Sequence, residues 1–167
     1  MIEGFAPSGA WRADVIADFA RSELFDRTFQ EGMDLVEETA GYLDGSGRQE
    51  SKLLSRSAAL AYAAESMRLT TRLMQVASWL LVQRAVREGD MPPESAREER
   101  YRLGAEDICR GATVEDLPAR LLMLLDRSER LYERVRHLDR RMYIEETEPE
   151  DANPVLSQFG RLQAAFG

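Results

Sequence analysis

The chain has 167 residues, 44% hydrophobic and 31% charged; that suits one globular domain and is short for two. Acids outnumber bases 30 to 22, for a net charge of −8, which argues against nucleic acid as the main partner, because phosphate neutralisation needs a basic surface. A single cysteine, Cys109, excludes an internal disulfide, and a single histidine, His137, excludes a multi-histidine metal site.

Residues 1–20 hold Gly4, Pro7 and Gly9 among scattered apolar side chains. No period persists, so they read as a flexible N-terminal arm, and they lack the basic stretch and apolar run of a secretory leader. Residues 21–143 read as the bundle domain. Its first helix begins at Ser22, an N-cap with Glu23 in the first turn. Phe25, Phe29, Met33, Val36, Ala40 and Leu43 then recur at steps of four and three, predicting one buried face, and Gly45-Ser46-Gly47 ends the helix.

The second helix starts between Ser51 and Ser57 and runs to Glu88, where Gly89 and Pro92-Pro93 stop it. Its length is roughly 50 Å at ~1.5 Å per residue. Leu60, Ala64, Met67, Thr71, Met74, Ser78, Leu81 and Ala85 alternate large and small at steps of four and three, a seam with which a neighbouring helix would interdigitate. Residues 73–86 are apolar nearly all round, more than a three-helix bundle buries, so an isologous homodimer through this helix is expected. A polar stripe, Glu65, Arg68, Arg72 and Gln75, leads onto Trp79. Its plain reading is a solvent face; the tryptophan at its end fits an interface, so these five are candidate partner or dimer contacts.

The longest charge-free apolar stretch, residues 73–83, has eleven residues against the ~20 that span a bilayer. No membrane partner and a cytoplasmic location are expected, and an unpaired thiol fits a reducing compartment.

Residues 95–103 suggest a short charged helix, and Gly104 and Gly111 interrupt the stretch beyond it. Thr113 is a candidate cap for the third helix, with Asp116 at its N3 side and Pro118 in its first turn. Leu117, Leu121, Leu124, Ser128, Leu131, Val135, Leu138 and Met142 form the clearest stripe of the chain. This helix carries seven arginines and four acids, read as a solvated face with i,i+4 pairs or as a docking surface for something acidic. Residues 144–167 read as a flexible tail. Five acids and Pro149 fall within 145–151, a composition that cannot bury much surface. Beyond them Leu156, Phe159, Leu162 and Phe166 lie three and four apart, anchors that would align on one helical face in a partner's groove or fold back on the bundle. Walker, GxGxxG, HExxH, GxSxG and CxxC motifs are all absent, so no catalytic residue, cofactor or metal is expected. His137 reads as a helix-surface residue and Cys109 as a small, partly buried one.

The run ESMRLTTRLMQVASWLLVQRAVREGDM at 65–91, with FQEGMDLVEETAGYLDGSGR at 29–48 and RLYERVRHLDRRMY at 130–143, resembles the alphaproteobacterial regulator of CtrA degradation (RcdA) family over residues 22–143. The resemblance implies an all-α fold, a small self-associating helical bundle with a flexible C-terminal tail. It implies a non-catalytic adaptor that docks on the ClpXP protease once its ClpX unfoldase is primed by a receiver-domain protein, and that delivers cell-cycle regulators as cargo. Two other classes remain. A DNA-associated or other helical regulator needs a helix-turn-helix with a basic recognition face. A carboxylate-based hydrolase needs a concave site of perturbed acids.

Overall fold

Three long helices carry the architecture, in a computed structural model that describes residues 8–103 and 116–143, with side chains from residue 14 onward. The described residues form α1 (Ser8–Ala20), α2 (Glu23–Asp44), α3 (Ser46–Ser51), α4 (Arg56–Glu88) and α5 (Ala119–Tyr143), with two 3-10 turns, Ser95–Arg97 and Glu99–Tyr101, and no strand among them. The all-α expectation holds.

The helix ends follow local chemistry. Ser22 Oγ accepts the Phe25 N–H at 3.2 Å, and Ser55 Oγ accepts that of Ala58 at 3.3 Å, each satisfying a donor that the first turn leaves unpaired. Gly89 closes α4 in the left-handed region at φ 79°, its N–H bonded to the carbonyls of the last turn, which costs glycine little because it has no Cβ. Helix α5 starts directly after Pro118, while Thr113 lies outside the described residues.

Contacts fix the topology. Asp26 pairs with Arg87, and Gly32 lies against Leu80, so α2 and α4 are antiparallel. Arg127 meets Glu38 at 2.6 Å and Arg134 meets Glu31, so α2 and α5 are antiparallel too. Arg72 reaches Ser128, Trp79 reaches Asp139 and Gln83 reaches Tyr143, so α4 and α5 run parallel. Two parallel neighbours cannot be joined by a tight turn. The connection from Gly89 to Pro118 must begin at one end of the bundle and finish at the other, and Leu103, near Asp139, is still at the starting end.

Burial departs from the sequence pattern in two helices. The stripe predicted for α5 is the one observed, with Leu121, Leu124, Ser128, Leu131, Val135 and Met142 all buried. In α2 the buried face is Phe25, Thr28, Gly32, Leu35, Thr39 and Tyr42. It is turned by one residue from the predicted stripe, whose members after Phe25 are half-buried or, at Ala40, exposed. Small side chains let α4 approach here: a Cβ on Gly32 would stand 2.6 Å from Leu80 Cδ1. The Thr28 hydroxyl is satisfied inside its own helix by Leu24 O at 2.8 Å, which makes its burial affordable. In α4 the correction is larger, because the large-and-small seam faces outward. Leu69, Leu73, Val76, Trp79, Leu80 and Val86 point inward instead.

Residues 8–20 also correct the sequence reading, because they form helix α1 where an arm was expected. Ile16 and Ala20 are fully buried, and the Phe19 ring lies 5.9 Å from both the Phe25 and Trp79 rings. Pro7 precedes the helix and Gly9 is its second residue, so neither interrupts the turns that follow. Between α2 and α4, the short helix α3 needs a glycine, since a Cβ on Gly47 would lie 2.7 Å from both Tyr42 O and Tyr62 Oη. The segment read as a charged helix, 95–103, resolves into the two 3-10 turns instead. Residues 144–167, the tail of the sequence reading, lie outside the described residues, as does Cys109.

Candidate interaction surface

Two faces of α4 have exchanged the roles that the sequence suggested. The polar stripe runs inward. Trp79 is 1% exposed and Arg72 is 3% exposed, so neither can meet a partner while the chain is folded. Arg72 donates to Ser128 Oγ at 2.9 Å and lies 3.6 Å from Glu129. Glu65 and Arg68 pair with each other, both largely covered. Gln75 is half-buried, and its Oε1 has no hydrogen-bond partner among the described residues. The expectation that all five are contacts is corrected for Arg72 and Trp79; the other three sit at the edge of the α4–α5 seam.

Charge and polarity are tolerated there because the partners are mutual. Asp139, on the buried face of α5, accepts from Trp79 Nε1 at 2.9 Å and from Arg102 Nε and NH2 at 2.9 and 2.8 Å. The fork of two parallel N–H groups matches the two carboxylate oxygens, so one side chain fixes both the α4–α5 register and the connection after the second 3-10 turn. Gln83 Nε2 donates to Tyr143 Oη at 2.8 Å, and the Arg102 guanidinium lies 4.6 Å from the Tyr143 ring centroid. Burial pushes the Tyr143 hydroxyl up to about 12, because the phenolate would have to sit in a poorly solvated seam.

The outward face is the apolar one. Leu60, Met67, Met74 and Leu81 are 68%, 72%, 60% and 51% exposed. They recur every seven residues, with Ala64, Thr71, Ser78 and Ala85 between them, the repeat that α-helices use to pack side by side. Nothing in the described chain covers them. Toward the C-terminal end of α4 the stripe becomes a groove of about 560 Å³, walled on one side by Met74, Ser78, Leu81 and Val82 and on the other by Arg100, Tyr101 and Arg102. The sequence seam marks Met74, Ser78 and Leu81 but not Val82; Arg100, Tyr101 and Arg102 carry no interface signal in the sequence, since the 3-10 turns lack a usable period.

The arginines of α5 are mostly spoken for. Arg127 and Arg134 tie α5 to α2, while Arg130 and Arg136 pair within α5 with Asp126 and Glu133. That favours the solvated, ion-paired face over a basic docking surface. His137 is exposed, as expected for a helix-surface residue. Among the described residues no group of three or more His, Cys, Asp or Glu is placed to hold a metal ion, and no helix is long and apolar enough to cross a membrane. The groove offers hydroxyls at Thr71 and Ser78, and among the described residues its lining has no carboxylate or imidazole to activate them. The tail anchors Leu156, Phe159, Leu162 and Phe166 lie outside the described residues. What the described geometry can do is bind an apolar or amphipathic helix along α4.

Residues 16–166 match the model of a family described as a protein of unknown function (DUF1465). Among solved structures, the crystal structure of RcdA from Caulobacter crescentus CB15 is 72% identical, with a TM-score of 0.66, over 77% of this chain and 98% of that one. No curated protein matches the chain.

Proposed function

The chain belongs to the RcdA family, and from that premise we propose that it is a non-catalytic, cytoplasmic adaptor that delivers cell-cycle regulators to the ClpXP protease. In this reading a receiver-domain protein primes ClpX, the bundle docks, and cargo is held for transfer. The observation that carries the proposal is the exposed stripe Leu60, Met67, Met74 and Leu81. An apolar row several turns long on a rigid helix is costly to leave in water and useful only if something covers it. Methionine suits such a surface, because its unbranched side chain adapts to differently shaped partners. At rest a second copy, paired through α4, covers the Leu60 and Met67 part of the row, outside the groove; cargo competes for that part and so shifts dimer toward monomer.

A DNA-reading role finds less support, since several α5 arginines are engaged in ion pairs. A hydrolase finds less still, with no acid in the groove lining. The test is a tagged pull-down from the native host. ClpX, a receiver-domain protein and cell-cycle regulators should co-purify, and the regulators should be lost with a Met67→Glu, Met74→Glu double variant that melts like the parent. Recovery of none of them, or equal recovery with the variant, counts against the adaptor reading.

A further inference from the structure

The groove on α4 opens beside the point where the described chain stops. Tyr143 ends α5, is bonded to Gln83 and lies under Arg102; Arg102 and Val82 belong to the groove walls. Because α4 and α5 run parallel, the chain leaves α5 at the Leu81 end of the exposed stripe and not at its far end. We propose that residues 155–166 of the same chain dock back into this groove as a helical latch, with Leu156 and Phe159 seated against Met74 and Leu81.

Reach and spacing both agree with this occupant. The eleven residues 144–154 extend at most ~36 Å, whereas the stripe from Leu81 back to Met67 is only ~21 Å long. As a helix, the anchors from Leu156 to Phe166 would cover ~15 Å of that length. The two arginines at the groove wall are already paired, Arg102 with Asp139 and Arg100 with Glu98 at 2.8 Å, so the docking rests on apolar contact with Met74, Leu81 and Val82. Twelve residues with Gly160 among them do not sustain a helix in water, so helix and docking form together. A short tether supplies a local concentration in the millimolar range, which makes even a weak anchor effective, and the same weakness keeps the latch reversible. The docking stands independently of the adaptor reading. Only its consequence rests on that reading: a partner that captures the tail bares the groove.

The test uses the full chain with Cys109→Ser, Ala165→Cys carrying a nitroxide, and ¹³C-methyl methionine. The latch broadens the Met74 methyl signal, and the broadening survives mixing with excess unlabelled chain, because the contact is within one molecule. Adding Phe159→Asp and Leu162→Asp, changes outside the bundle, abolishes it. Broadening that disappears on mixing means that the groove takes a second copy's tail and overturns the proposal. So does the absence of broadening, or broadening that the aspartates leave unchanged.

Discussion

Replacing Asp139 with asparagine should be among the most damaging single-atom changes available in this protein. The carboxylate is buried and receives the Arg102 fork and the Trp79 N–H. Asparagine keeps the shape and can still accept from Trp79, but it removes the charge that compensates a guanidinium whose side chain is only 17% exposed. Breaking a buried pair from one side costs ~3–5 kcal/mol, a large share of the ~5–15 kcal/mol that holds a domain together. For a chain of this size that is roughly 6–20 °C in Tm, read by circular dichroism at 222 nm. Arg102→Met alone strands the carboxylate instead. The double variant removes both charges, so it should be less destabilised than the sum of the singles by about 0.5–3 kcal/mol. A Tm for Asp139→Asn within about 2 °C of the parent, or strict additivity in the cycle, would refute the pairing as the clamp of the connection.

The two apolar rows should respond oppositely to truncation. Leu131→Ala, at a fully buried site, should cost ~2–5 kcal/mol, while Met67→Ala, on the exposed stripe, should stay within about 0.5 kcal/mol in urea unfolding of the monomer; a reversed order would invert the orientation of α4. Alkaline pH should unfold the bundle through its buried tyrosines. Burial raises Tyr143 from 10.0 to about 12 and shifts Tyr42 in the same direction, so their contribution is whole below pH 10 and is lost as pH rises through the folded-state values. Tyr143→Phe should flatten the fall of Tm with pH above 10, and an unchanged slope would mean that Tyr143 titrates alike in the folded and unfolded chain, against its burial.

Periodicity located the three long helices and most of their ends, because Ser22 and Gly89 act through backbone chemistry within one turn. It could not assign faces wherever two stripes compete. On α2, the true face contains Thr28, Gly32 and Thr39, which no hydrophobicity rule selects; close approach of α4 chose them. On α4, hydrophobic residues occur on both sides, and the polar stripe went inward because Asp139, Ser128 and Arg102 supplied partners from segments that are distant in sequence. Those partners become visible only after the parallel α4–α5 arrangement is known. The α5 stripe was legible because, after Leu122 and Met123 near its start, its opposite face is mostly charged. Helix α1 was missed since its apolar residues, eight of thirteen, fall on no single stripe, and its burial depends on aromatic neighbours from α2 and α4. The interaction surface was therefore half legible: the seam of Leu60, Met67, Met74 and Leu81 was marked in the sequence as a contact, but for the wrong side of the molecule.

The most direct test is the half-life of a cell-cycle regulator incubated with purified ClpX, ClpP, ATP and the receiver-domain protein, with and without this chain. Adaptor function shortens the half-life when the parent chain is added and leaves it unchanged when the Met67→Glu, Met74→Glu variant is added at the same concentration. A half-life that the parent chain leaves unaltered, for every regulator that co-purifies with it, would contradict delivery as its function.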